Sequence, residues 1–215
     1  MCFGLVSMTA GACRSERTEA PVPEPVRAGS PTPASAPSAP IHGVGGVEGQ
    51  SPAYDASRQP AKFIAALGLT AGQRVADVGA GLGYFVPRLA EAVGPTGQVV
   101  ATDVDDEALQ QLRARMLGRK NVTVRKVAPD DPGLEANTYD LILLSEVDHF
   151  FEDRVTYLNR LRPALTPGGR IAVSHLRALR QPLVEAATAA GYAIVSEYPE
   201  LPAHYLLFLQ PTVSR

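Results

Sequence analysis

Residues 75–84 read Val-Ala-Asp-Val-Gly-Ala-Gly-Leu-Gly-Tyr, and FVPRLAEAVG follows over 85–94. The apolar run predicts a buried strand. The stretch after the glycines predicts a helix with Pro87 in its first turn and Gly94 at its end. Three alternating glycines let the backbone turn tightly and let a ligand approach with no Cβ in the way. The helix start adds free N–H groups. The spacing is G-x-G-x-G. A dinucleotide fingerprint needs G-x-G-x-x-G, and Tyr84 stands at its last position. A phosphate-cradling loop needs Gly-Lys-Ser/Thr, which is absent. Asp77 lies just before the glycines, where a carboxylate suits a cationic ligand group better than a pyrophosphate.

Outward from this loop, strands and helices alternate. AKFIAALGLTAG (61–72) reads as a helix ending at Gly68 or Gly72, ahead of the strand RVADVG. QVVATDV (98–104), NVTVRKV (121–127), YDLILLSEV (139–147) and RIAVSHL (170–176) read as further strands. DEALQQLRARMLG (106–118), VTYLNRLRPAL (155–165) and QPLVEAATAAGY (181–192) read as helices. AIVSEY (193–198) and HYLLFLQ (204–210) close the chain as a hairpin. The pattern implies an α/β, Rossmann-like, doubly wound seven-stranded sheet, mainly parallel with a C-terminal antiparallel hairpin strand. In such folds the ligand sits beyond the carboxyl ends of the strands, beside the first one.

The chain has 215 residues, 45% of them apolar, and a net charge of −2, which excludes a generally basic nucleic-acid binder. Seven of the 19 prolines fall between Pro21 and Pro40, and residues 14–53 contain no Phe, Tyr or Trp. Such a segment buries too little apolar surface to offset its ordering entropy, so 14–53 is expected to be a disordered Pro/Gly-rich linker. The globular domain is expected over 54–215. Residues 1–13, MCFGLVSMTAGAC, are uncharged, and TAGAC is similar to a bacterial lipoprotein cleavage site with Cys13 as the lipidated residue. The apolar stretch is short and lacks a basic segment before it. No apolar run reaches the length of a transmembrane helix. Cys2 and Cys13 alone cannot build a four-ligand zinc site, and no metal is expected.

Asp103 ends the strand QVVATDV. An acid there can accept two hydrogen bonds from a ribose diol, or else Asp103 or Asp105 simply caps the next helix. With DVGAGLGYF, VVATDVD, YDLILLSEVDHF and LRPALTPGGRIAVS in order, residues 57–211 resemble the class I S-adenosylmethionine-dependent methyltransferases, most of all the small general bacterial members. The resemblance implies S-adenosylmethionine as cofactor. It places Gly79, Ala80, Gly81 and Gly83 along the methionine and ribose portion, and Asp77 at the methionine amino group. It puts Asp103 on the ribose hydroxyls, Val104 against adenine and Ser145 near the methionine part. An acid after the third strand would meet the adenine amino group; Asp130 is the candidate, with Ala128 at a nearby register. Leu82 departs from the small polar residue many relatives carry.

Methyl transfer is an in-line displacement, so the protein's main task is alignment, worth about 7–11 kcal/mol in ideal cases. A weakly acidic acceptor also needs a base. Candidates where the fourth and fifth strands end are Glu146, Asp148, His149 and His175; the first, third and fourth are the catalytic candidates. Asp140 begins its strand, at the far end, and reads as structural. The link from the fifth strand to its helix is brief, which leaves an N-terminal helix carrying Tyr54, Arg58, Gln59 and Pro60 as the main lid over an open acceptor cleft. The basic run Arg113, Arg115, Arg119, Lys120, Arg125 and Lys126 lacks interleaved aromatics and reads as a helix C-terminus and solvated strand edge. SEVD stands where a DNA-adenine methylating enzyme carries N-P-P-Y. The expected function is methyl transfer to a small-molecule or lipid-like acceptor, without a nucleic-acid partner. The alternatives are a non-catalytic S-adenosylmethionine-binding sensor and, more remotely, a dehydrogenase. The expected location is cytoplasmic, with a membrane anchor through Cys13 as the alternative. The sequence leaves the oligomeric state open.

Overall fold

The computed structural model describes residues 52–212. The expected leader over 1–13, with Cys13, and nearly all of the expected linker lie outside the described residues.

Seven strands form one sheet: β1 (Arg74–Val78), β2 (Gln98–Asp103), β3 (Val122–Lys126), β4 (Tyr139–Ser145), β5 (Leu165–Leu176), β6 (Tyr192–Tyr198) and β7 (His204–Pro211). Their order is β3-β2-β1-β4-β5-β7-β6. The pairings from β3 through β5 are parallel, whereas β7 runs antiparallel to both β5 and β6. The strand order reverses at β1, so a crevice opens beyond its carboxyl end.

Side-chain alternation divides the core between the two faces of the sheet. On β4, Leu141 and Leu143 join Val75, Val99 and Ala101 beneath α2 (Pro60–Ala66), α3 (Val86–Val93) and α4 (Asp106–Arg115). Ile142 and Leu144 point the other way and join Ala76, Val78 and Val100 beneath α5 (Arg154–Leu161) and α6 (Arg180–Ala189). This two-sided burial explains why β4 is apolar without interruption.

Two local departures from the sequence reading have physical causes. The N-terminal helix is two helices, α1 (Pro52–Arg58) and α2, separated at Gln59. Pro60 crowds the residue before it out of the right-handed helical region, and Gln59 takes φ +45°. The Thr-Pro-Gly-Gly turn lies inside β5. Tyr139 pairs with Leu165 and Leu141 with Arg170, so residues 166–169 bulge from the ladder. At the sheet's far end, the Arg74 N–H donates to Asp140 Oδ2 at 2.9 Å, the structural position expected for that acid.

The glycine loop is packed against α4. Gly83 has φ +76°, and a Cβ there would lie 2.2 Å from Leu112 Cδ1. Leu112 is fully buried, so it has no free direction in which to yield. Gly83→Ala should therefore lower unfolding free energy by about 1–3 kcal/mol, measured by urea denaturation.

Candidate active site

The carboxyl ends of β1, β2 and β4 converge on a cleft of about 620 Å³. Its first wall is the glycine loop. Gly79 and Ala80 N–H groups donate to the Thr102 carbonyl at 2.8 and 3.0 Å, which ties the loop to β2. The Gly81 N–H donates to Asp103 Oδ2 at 2.7 Å, and the Asp105 N–H donates to Asp103 Oδ1 at 3.0 Å. Asp105, not Asp103, caps α4, accepting from Ala108 N–H at 2.7 Å. A Cβ on Gly79 would meet Val147 at 2.3 Å, but one on Gly81 would meet nothing within 4 Å. Gly81 thus faces open cleft with φ +53°.

Asp77, at the end of β1, is 3% exposed. Burial, reinforced by the negative charge of Asp103, pushes its pKa up to about 7; the Arg58 guanidinium opposes the rise. A ligand cation beside Asp77 would relieve this destabilisation.

Arg58, at the end of α1, closes the second wall and is also 3% exposed. Its Nη1 lies 2.6 Å from Glu146 Oε1, and its Nη2 donates to Ser145 Oγ. His204 Nε2 lies 2.6 Å from the same Glu146 oxygen, and the Tyr54 hydroxyl donates to Oε2 at 3.3 Å. Burial by itself would raise the Glu146 pKa. The hydrogen bond from His204 and the charge of Arg58 outweigh it and hold the group at about 2. Glu146 also sits at φ +56°, a conformation unusual for a residue with a large side chain, with its N–H fixed to the Ser174 carbonyl at 2.8 Å.

Among the expected cofactor-side residues, Asp77, Gly79, Ala80, Gly81, Asp103, Val104 and Ser145 all line the cleft. Gly83 stands behind the lining, against Leu112. Asp130 is exposed and pairs with Arg160 at 2.9 Å, while its neighbours Val127 and Pro129 form the wall. The chain after β3 turns this acid towards α5 and solvent.

On the acceptor side, Glu146 lines the cleft, but His149 and His175 do not. They bond to each other. The Leu176 N–H donates to His175 Nδ1 at 2.7 Å, which leaves the neutral ring's proton on Nε2; that group donates to His149 Nδ1 at 2.8 Å. Burial lowers the His175 pKa, and His149 adds to this against the nearby carboxylates of Asp148 and Glu146. The pair braces the turn over 148–151, whose Phe150 and Phe151 reach the cleft wall. Asp148 is buried and pairs with Arg154 at 3.0 Å.

Sequence reasoning placed Arg58 only on a lid and missed His204. No local motif marks either. His204 reaches the site because β7 pairs antiparallel with β5, which puts it opposite Leu176. In the basic run, Arg119, Arg125 and Lys126 pair with Glu91, Glu135 and Asp106.

Residues 76–171 match the family model of a methyltransferase domain. Aklanonic acid methyltransferase DauC of Streptomyces sp. (strain C5) is 34% identical over 103 residues, 47% of this chain and 47% of that protein. The ubiquinone/menaquinone biosynthesis C-methyltransferase UbiE of Cupriavidus taiwanensis is 27% identical over 133 residues, 61% of this chain and 55% of that protein. The chain thus spans about half the length of the curated relatives it matches. A SAM-dependent methyltransferase structure from Aquifex aeolicus superposes with a TM-score of 0.69 at 24% identity, covering 74% of this chain and 93% of that one. Residues 76–171 thus carry the pattern of a methyltransferase domain, and the fold is that of S-adenosylmethionine-dependent methyltransferase structures.

The raised pKa of Asp77 has a consequence for stability. The folded state holds this proton more tightly than the unfolded chain, so the fold loses stability as pH rises from about 4 to about 7. Asp77→Asn removes the charge and keeps the shape. Its melting temperature should exceed that of the parent by on the order of 5 °C at pH 8, with the gap closing towards pH 4, as read by calorimetry.

Proposed function

We propose that the protein is an S-adenosylmethionine-dependent methyltransferase acting on a small-molecule acceptor. The observation that carries this reading is the cleft between Asp77, Gly81 and Asp103. It joins a buried carboxyl lacking a cation, a glycine open to the ligand space and a carboxylate anchored by two backbone N–H groups. These features fit S-adenosylmethionine. Asp77 would hold the ammonium group, Asp103 the ribose hydroxyls and Val104 the adenine face, with Gly79, Ala80, Gly81 and Ser145 bordering the rest. When bound, the cofactor supplies a methyl group on a sulfonium centre that is already a good leaving group.

The chain's own residues then have to align an acceptor and keep water out. Tyr54, Phe150, Phe151 and Tyr157 give the opposite wall an aromatic character, and Glu146 is its ionised group. A carboxylate held so far below neutrality is a weak base, so Glu146 orients a donor group on the acceptor more readily than it removes a proton. His149 and His175 contribute by holding the turn that carries Phe150 and Phe151. An apolar, ring-bearing acceptor with a hydroxyl suits this wall. The relatives named for ubiquinone/menaquinone and aklanonic acid methylation support that class. We place the reaction in the cytosol, where the methyl donor is made. Among the described residues no helix is long and apolar enough to cross a membrane.

Calorimetric titration of the full chain tests the reading. S-adenosylmethionine and S-adenosylhomocysteine should bind at micromolar concentrations and NAD should not; a folded sample that binds neither sulfur ligand overturns it. Asp103→Ala should weaken binding at least tenfold, about 1.4 kcal/mol. Gly81→Ala should weaken it too, by placing a methyl group in the ligand space. The Asp77 carboxyl must be ionised to pair with an ammonium. S-adenosylhomocysteine affinity should therefore fall as pH drops below about 7, and Asp77→Asn should flatten that dependence.

A further inference from the structure

Residues 108–129 hold six cations and no acid. The assembled chain divides these cations. Arg125 and Lys126 meet the carboxylates of Glu135 and Asp106. Arg115 turns to the glycine loop and donates to the Leu82 carbonyl. Arg113 and Lys120 are exposed and pair with no acid among the described residues. Arg119, beside Lys120, meets Glu91 at 3.0 Å in a pair that is itself exposed. Such a pair contributes little, so a stronger anion can replace Glu91.

The uncompensated cations flank one leucine. Along α4 and its end, Leu109, Leu112 and Met116 face the core. Leu117 follows about 100° around the axis from Met116. It is 88% exposed, whereas the next most exposed large apolar side chain among the described residues, Val195, is 48% exposed. Arg113 lies one helical turn before Leu117 on the same face. The turn that carries Leu117 is closed. Its N–H donates to the Ala114 carbonyl at 3.4 Å, and the Arg119 N–H donates to the Met116 carbonyl at 3.0 Å. Gly118 supplies the left-handed residue at φ +85°, and Met116 supplies the buried contact. The cap therefore has no use for a leucine between them.

A helix C-terminus accounts for the cations but not for an apolar side chain held in water. Single exposed apolar residues are ordinary on a surface. One raised at the tip of a cationic, acid-free turn has a specific complement. Anionic headgroups cancel the charge, and the leucine reaches the acyl boundary below them. The long stems of Arg113, Arg119 and Lys120 extend the same apolar contact. A nucleic acid would engage the cations alone, since residues 108–129 offer no aromatic ring for stacking and a phosphate gains nothing from a leucine.

We propose that the turn closing α4, with Leu117 at its tip and Arg113, Arg119 and Lys120 beside it, docks the protein on an anionic lipid bilayer surface. The cleft takes Glu107, Ala108 and Gln111 from the earlier turns of α4, so docking through the last turn leaves the cleft clear. The contact is peripheral and does not depend on which ligand the cleft holds.

The test is co-sedimentation of the full chain with vesicles of phosphatidylcholine, alone or with about a third phosphatidylglycerol. The parent should partition at least about tenfold more strongly onto the anionic vesicles, and added salt should weaken this. Leu117→Gln and Arg113→Gln/Lys120→Gln should each lower that partition by about fivefold or more. Arg160→Gln/Arg180→Gln removes the same charge from α5 and α6, across the sheet, and should change it by less than about twofold. A parent indifferent to vesicle charge would overturn the proposal. So would Leu117→Gln and Arg113→Gln/Lys120→Gln variants that partition like the parent, or an equal loss in Arg160→Gln/Arg180→Gln. A partition that ignores Leu117→Gln but falls with Arg113→Gln/Lys120→Gln, matched by the same fall in binding to duplex DNA, would make the patch a nucleic-acid contact and overturn the lipid assignment.

Discussion

The cleft depends on a balance of charge around one guanidinium. Asp77 and Glu146 both lie within the field of Arg58, and Asp103 adds a second negative charge beside Asp77. The two neighbours of Arg58 fare differently. Glu146 has direct bonds from Arg58 and His204, and these hold it ionised in spite of its burial. Asp77 has proximity to the guanidinium without a direct bond, and burial dominates. One arginine therefore leaves one carboxylate fully compensated and the other waiting for a cation. That asymmetry gives the cleft its polarity, with a cation-seeking floor below the glycine loop and a settled ionic pair on the facing wall.

The sheet order makes the balance possible. β1 and β4 are neighbours, so Asp77 and the Ser145–Glu146 corner end side by side. Inserting β7 between β5 and β6 carries the start of β7, with His204, to the same end of the sheet as the close of β5. Arg58 arrives from the opposite direction in sequence, on α1, because the break at Gln59 lets α1 turn away from α2. Glu146 accepts an unfavourable backbone conformation, on the order of 1–3 kcal/mol. In return its carboxylate meets Arg58, His204 and Tyr54 together. A glycine would relax the backbone and remove the group on which the ion pairs depend.

Much of this was legible in the sequence where the physics is local. Apolar runs at strand length, glycines at helix ends and the alternation along the chain follow from short-range periodicity, and they carry the sheet, its parallel core and the closing hairpin. The glycine loop with Asp77 and Asp103 was legible because both acids sit at strand ends fixed by that periodicity. The Arg58–His204 approach joins residues far apart in the chain, and neither lies in a motif, so only the assembled sheet brings them together. The two histidines after β4 and β5 were legible as neighbours, but not as partners. Their pairing follows from the Leu176 N–H, which fixes the tautomer of His175. Asp130 depends on how an irregular loop turns after β3, and there Arg160 on α5 draws the acid outward.

Asp77 and Glu146 also divide the chemical work. An enzyme that relied on a strong base beside its acceptor would keep that base near neutrality and within reach of the cleft. Here the cleft's ionised wall residue is held near a pKa of 2, and the histidine rings are bonded to each other beside the cleft. The group poised near neutrality is Asp77, beside the glycine loop. In the proposed reading, the arrangement directs its electrostatics to the cofactor's charged groups and leaves the acceptor to aromatic packing and one orienting carboxylate. A sulfonium donor makes that division workable, because its leaving group needs no protonation and the barrier yields chiefly to alignment. On the proposed reading, acceptors whose nucleophilic atom is already basic, or is made so by conjugation within an aromatic ring system, fit such a site best.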